Sequence, residues 1–183
     1  MVLNIALIGP RGVGKSKISR KLSKLTGMTV ISTDMIATYE AGGISISEYI
    51  KSNNQDWRKF RDLEHSILLK LQDSRDLILD CGGGILFDLD SDGKEILSTR
   101  KTEILKKNFT IIRLSRDTEY LVNKMSRTSN RPNLSEVETY SQILKKRNPH
   151  YDSLAHFSIH IKNESPEEIA FRIQEKLGKL EPK

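Results

Sequence analysis

From Gly9 to Ser16 the chain reads G-P-R-G-V-G-K-S, with the spacing G-x-x-x-x-G-K-S. Glycines at these positions let successive backbone N–H groups turn inward and wrap a phosphate without Cβ clashes. A helix beginning there adds the positive end of its dipole. In such a loop Gly12, Val13, Gly14, Lys15, Ser16 and Lys17 form the cradle, Lys15 reaches the β- and γ-phosphates, and the Ser16 hydroxyl is placed to ligate Mg²⁺. The flanks agree: Leu3 to Ile8 is a short apolar run suited to a buried strand, and Ile18, Leu22 and Leu25 then recur on one helical face. A glycine-rich turn merely linking strand to helix is the plain alternative, and the Lys-Ser pair weighs against it. The stretch reads as a site for a nucleoside triphosphate.

Other residues could complete a phosphoryl-transfer site. Asp80 ends the run L-I-L-D, the apolar-then-acid form of a second Mg²⁺ ligand, although a cap or turn Asp has the same look. Asp34 lies just past a β-branched run, where a carboxylate could take a hydroxyl proton or simply cap the segment from Met35. Arg61 and Glu64 in F-R-D-L-E share a helix face, so Glu64 can orient a guanidinium suited to a substrate carboxylate. Alone, the pair reads more simply as a surface ion pair. Arg127 and Arg131 fall in a polar segment that could close over phosphates. Arg147 offers one more cation, equally explained as a charge at a helix end. The four histidines, His65, His150, His156 and His160, read as structural or solvated, and Cys81 as a small buried thiol on the crevice floor.

These groups need a frame. Strand-like runs at Met28–Ser32, Asp76–Asp80, Phe109–Leu114 and Phe157–Ile161 alternate with helical patterns at Ser47–Lys51, Trp57–Gln72, Glu95–Lys106 and Asp117–Met125. Capping-box patterns at Ser135/Glu138 and Ser165/Glu168 predict two further helices. Such alternation implies a parallel sheet covered on both faces, with ligands at the carboxyl ends of its strands. There the phosphate loop, Asp34 and Gly82 to Gly84 would converge.

With 183 residues and no interior linker, one domain spanning residues 1–183 is expected. The net charge of +6 comes from scattered side chains with few aromatics between them, so it suggests steering of anionic ligands and no nucleic-acid platform. The opening apolar run is too short for a membrane span and leads straight into the loop, so neither a membrane segment nor a signal peptide is expected. A single cysteine suits a reducing cytoplasm.

Taken together, the chain resembles the shikimate kinase family of nucleoside-monophosphate-kinase-like P-loop enzymes. G-P-R-G-V-G-K-S, Thr33-Asp34, F-R-D-L-E, G-G-G from Gly82, R-P-N-L from Arg131 and R-N-P-H-Y from Arg147 carry the likeness in order. The resemblance implies a three-layer α/β/α fold around a five-stranded parallel sheet, with a substrate-binding insertion at about 35–64 and a lid at about 118–134. It implies MgATP-dependent phosphorylation of the shikimate 3-hydroxyl, on the route to chorismate and the aromatic amino acids. Asp34 would bind the acceptor hydroxyls and assist deprotonation. Arg61 and Arg147 would hold the substrate carboxylate, Glu64 would orient Arg61, and Gly83 and Gly84 would offer backbone N–H groups. Arg131 would come from the lid, and Arg127 would sit near the nucleotide. A monomer is expected. The family usually carries D-x-D after its second strand, whereas here Ser32-Thr33-Asp34 lacks the first carboxylate, and Asp80 is the candidate replacement at Mg²⁺. Ser153 and His156 also stand where acids are common. A kinase of gluconate-like or nucleotide acceptors, or a nucleotide-binding module without turnover, stays open on sequence alone.

Overall fold

The computed structural model describes residues 4–127 and 138–179. In chain order the elements are β1 (Ile5–Ile8), α1 (Lys15–Thr26), β2 (Thr29–Ser32), α2 (Thr33–Glu40), α3 (Ile46–Ser52), α4 (Trp57–Leu71), β3 (Leu77–Asp80), β4 (Phe87–Leu89), β5 (Glu95–Leu97), α5 (Thr99–Asn108), β6 (Thr110–Ser115), α6 (Thr118–Ser126), α7 (Tyr140–Leu154), β7 (Phe157–His160) and α8 (Pro166–Leu177). Five strands form a parallel sheet in the order β2-β3-β1-β6-β7, as the alternating pattern predicts.

The strands are apolar on both sides because both faces are covered. Ile5 and Leu7 of β1, Ile78 of β3, and Ile112 and Leu114 of β6 face one core, closed by Ile18 and Leu22 of α1 and by Ile169, Ala170 and Ile173 of α8. Ala6, Ile8, Leu77, Leu79 and Ile111 face the other, against Leu68 of α4, Leu105 of α5 and Leu154 of α7. The period-2 alternation of strand side chains thus divides one apolar run between two layers. A smaller cluster of Ala37, Ile50, Phe60 and Ile67 ties α2, α3 and α4 into a lobe at one end of the sheet. Tyr49 and Trp57 pack edge-on against the Phe60 ring there.

Two elements differ from the sequence reading. Glu95 does not start a helix: Glu95–Leu97 is a short strand pairing antiparallel with Phe87–Leu89, and the helix begins at Thr99, capped by the Ser98 hydroxyl. The hairpin turn closes through Asp90, whose carboxylate accepts from the Asp92 and Lys94 N–H groups, with Gly93 at φ +78°. Further on, α7 opens at Tyr140 under a capping box made by Thr139 and Gln142, one turn later than a Ser135/Glu138 box would place it. Ser135 lies outside the described residues. The Ser165/Glu168 box does open α8.

Leu79 sits fully buried in β3 one residue before Asp80, so its packing fixes where that carboxylate emerges. Leu79→Ala should cost about 2–5 kcal/mol of unfolding free energy. Urea denaturation is the check, with the midpoint lowered and the slope unchanged.

Candidate active site

The carboxyl ends of β1, β2 and β3 open into one cleft of about 370 Å³. Gly12, Gly14, Lys15, Ser16, Lys17, Asp34, Arg61, Glu64, Asp80, Gly83, Gly84 and Arg147 all line it. The loop after β1 has Gly9, Gly12 and Gly14 at φ +138°, +84° and +117°, backbone that side chains with a Cβ rarely adopt. Gly14 caps α1, so that helix points its N-terminus into the cleft. Lys15 is buried and donates to the Gly9 and Pro10 carbonyls at 2.8 and 3.0 Å. Val13 turns its side chain into the core and can serve a phosphate only through its backbone.

Behind β3, three consecutive glycines bring the limbs of the site together. A Cβ on Gly82 would lie 2.3 Å from Asp34 Oδ1, on Gly83 3.0 Å from the Arg11 backbone N, and on Gly84 2.5 Å from Arg61 NH1. The Gly82 N–H also donates to Thr33 Oγ1 at 2.8 Å, fixing the start of α2 that carries Asp34.

Asp34 opens into the cleft from the first turn of α2. Crowding by protein raises its pKa, with Glu64 and Asp80 adding to the rise, while Lys15 and Arg11 pull the other way without cancelling it. A carboxylate held above its ordinary value is a better proton acceptor. Asp80 stands at the end of β3 directly opposite Ser32 in the strand register. Ser32 keeps the capping role, its hydroxyl accepting the Met35 N–H, but brings no charge. Among the described residues no group of three or more His, Cys, Asp or Glu side chains could hold a metal unaided. The hydroxyl of Ser16 and the carboxylate of Asp80 are hard oxygen donors in a phosphate-sized cleft, a set that fits Mg²⁺ shared with a nucleotide.

The arginine wall is buried. Arg61 NH1 donates to Glu64 Oε2 at 2.9 Å and to Gly84 O at 3.3 Å, and its guanidinium lies 5.2 Å over the Trp57 ring. Lys101 of α5, with no exposed surface, meets the same Glu64 oxygen at 3.0 Å, donates to Phe87 O and pairs with Asp88. Burial alone would raise the Glu64 carboxyl, but Arg61 and Lys101 outweigh it and hold the group below its usual range. Arg147 of α7 donates through NH1 to Gly83 O, which also accepts the Tyr151 hydroxyl, and it pairs with Glu95. Burial pushes the Tyr151 phenol up to about 12. Cys81, buried beside Asp80 on the cleft floor, has its thiol raised by burial.

The sequence-derived residues therefore meet, with two qualifications. Arg127 stands exposed at the end of α6 and is not among the cleft-lining residues; Lys124 from the same helix lines the cleft and donates to Gly12 O at 2.8 Å. Arg131 lies outside the described residues. Arg11 and Arg20 also line the cleft, Lys101 reaches its Glu64 and Glu95 its Arg147; of these four only Arg11 lies inside a recognised motif.

Comparison with known proteins points the same way. The shikimate kinase family profile matches residues 11–178. A shikimate kinase of Leptospira borgpetersenii serovar Hardjo-bovis (strain JB197) is 56% identical, over 95% of this chain and 97% of that protein. One from Dehalococcoides mccartyi (strain ATCC BAA-2100 / JCM 16839 / KCTC 5957 / BAV1) is 34% identical over 97% of this chain and 95% of its own. The solved shikimate kinase from Acinetobacter baumannii in complex with shikimate superposes with a TM-score of 0.82 at 26% identity, covering 100% of this chain and 97% of that one.

A raised Asp34 means that the folded chain binds this proton more tightly than the unfolded chain, so the ionised form costs stability above the ordinary value of 3.8. Asp34→Asn should raise Tm at pH 7, and only modestly, because Asp34 is exposed and solvent screens its charge. The gain should fade as pH falls through the Asp34 titration and vanish well below 3.8, where the wild-type carboxyl is neutral in both states. Thermal melts from about pH 3 to 8 test this; a lower Tm at pH 7 would mean that Lys15 and Arg11 govern the group.

Proposed function

Because the chain belongs to the shikimate kinase family, we propose that the cleft described above is its catalytic site, working through its own residues in these roles. The reaction is ATP-dependent phosphorylation of the shikimate 3-hydroxyl, a step of aromatic biosynthesis. One observation carries the site assignment: Arg61, Arg147 and Asp34 line the same cleft as Lys15 and Ser16. A carboxylate recogniser, a proton acceptor and a phosphate cradle are what transfer to a hydroxylated acid requires.

In this reading Gly12 to Lys17 take the triphosphate, and Lys15 turns from the Gly9 and Pro10 carbonyls to the terminal phosphates. Arg61 and Arg147 take the substrate carboxylate, with Glu64 fixing Arg61 and the Gly83 and Gly84 backbone beside them. Asp34 orients the acceptor hydroxyl and receives its proton as the new O–P bond forms and ADP leaves. Ser16 and Asp80 are the residues that would hold Mg²⁺, which when bound neutralises charge on the phosphate oxygens. Arg131 would add a cation to the transferring group, and Arg127 would meet the nucleotide. Most of the acceleration then comes from positioning and charge stabilisation. We further assign residues 1–183 to one domain, with 35–64 serving the acceptor and 118–134 as the lid, of which 128–134 lie outside the described residues. It works as a monomer in the cytoplasm; no helix among the described residues is long and apolar enough to cross a membrane.

A coupled ADP-release assay with shikimate, gluconate and nucleoside monophosphates tests the acceptor, and turnover is expected on shikimate. In that assay Arg61→Ala should raise the shikimate KM at least about tenfold while moving the ATP KM little, because the lost charge-assisted bonds lie away from the phosphoryl group. Asp80→Asn should raise the Mg²⁺ concentration for half-maximal rate several-fold, about 1 kcal/mol in cation affinity. An unchanged Mg²⁺ titration would remove Asp80 from the metal site.

A further inference from the structure

The β4–β5 hairpin belongs to none of the motifs, yet it sends a carboxylate, that of Glu95, to Arg147 in the arginine wall. Glu95 opens β5, and its carboxylate meets Arg147 with two bonds, Oε2 from Nε at 2.8 Å and Oε1 from NH2 at 2.6 Å. Oε1 also lies 3.7 Å from NH2 of Arg61, so one oxygen stands between the two guanidinium groups. Such a side-on, two-bond pairing fixes the plane of a guanidinium as well as its place.

Three observations put this carboxylate behind the wall. Arg61 and Arg147 line the cleft and Glu95 does not. The bonds use the Nε–NH2 edge of Arg147, while NH1 turns to Gly83 O at 3.1 Å. The other face of Arg147 rests 5.0 Å from the Phe87 ring, on the strand paired with that of Glu95. NH2 carries a second N–H beyond its bond to Glu95, on the edge it shares with NH1. Glu95 thus pairs with Arg147 from outside the cleft, whereas Glu64 pairs with Arg61 from its lining.

We propose that Glu95 is a positioning residue for acceptor recognition: it locks the Arg147 fork in the plane that presents its outer edge to the substrate carboxylate. The proposal rests on the reading that Arg61 and Arg147 hold that carboxylate. Without Glu95, the Gly83 carbonyl, the Tyr151 hydroxyl and the Phe87 ring are left to orient a buried cation, with no carboxylate to fix its plane.

The test is a double-mutant cycle on Glu95 and Arg147, read as shikimate KM, ATP KM and kcat, with thermal melts to establish folding. Glu95→Ala should raise the shikimate KM about tenfold, with kcat and the ATP KM held within about twofold. Arg147→Ala should raise it at least as much, and adding Glu95→Ala to Arg147→Ala should then change nothing further. If Glu95→Ala does not fold, Glu95→Gln carries the test: it keeps the shape and one acceptor oxygen, and about a threefold rise is expected. A shikimate KM that is unchanged or lowered in the Glu95 variants, with Arg147→Ala still raising it, overturns the proposal, a fall marking Glu95 as a competitor for the fork. An Arg147→Ala variant with normal shikimate KM overturns the underlying substrate reading instead.

Discussion

Gly82, Gly83 and Gly84 are the point at which the site is assembled, and the constraint they impose is one of space. Each abuts a different limb: the Asp34 carboxylate, the Arg11 backbone of the phosphate loop, and the Arg61 guanidinium. A Cβ at Gly82 or Gly84 would displace the Asp34 carboxylate or the Arg61 guanidinium, and one at Gly83 would crowd the loop backbone, so a bare strand end lets these three groups share one cleft. The parallel sheet sets this up by ending β1, β2 and β3 side by side, with Ser32 and Asp80 in register. A fold-level rule about strand ends becomes a local rule about side-chain volume.

Burying two guanidinium groups in one wall carries a desolvation cost that only well-placed acceptors offset. Arg61 and Arg147 are each about 5% exposed, and Lys101 is fully enclosed behind them. Glu64, Asp88 and Glu95 supply three negative charges against these three positive ones, and Gly83 O and Gly84 O take further N–H groups. The acceptors come from α4, the hairpin and the glycine run, so the wall forms only when those elements are docked. The placing of the two guanidinium groups is therefore a property of the tertiary structure, even though each arginine sits on a helix.

Much of this was legible in the chain itself. The phosphate loop declares itself because its glycines, lysine and serine act through contiguous backbone. Arg61 and Glu64 declare themselves because helical spacing puts them on one face. Asp34 and Asp80 follow from strand ends. Glu95 and Lys101 were not legible, since each acts on a partner at least 37 residues away and nothing in local spacing marks the pairing. The run from Glu95 reads as helical because Ile96 and Leu97 lead into Thr99–Asn108, yet the D-S-D-G turn just before them is a hairpin signal that outweighs it. At the start of α7 two capping boxes compete one turn apart, and the helix uses Thr139 with Gln142. Lys124 carries no motif, and only tertiary packing brings it to the phosphate loop.

Cys81 gives this architecture an internal reporter. It is the chain's single cysteine, sealed on the cleft floor, and its surroundings keep the sulfur protonated. Thiolate is the reactive form, so in the closed fold an alkylating reagent finds almost no nucleophile. Labelling of this one atom then keeps time with the opening of β3 from its neighbours, and ligands that hold the sheet ends together slow that clock.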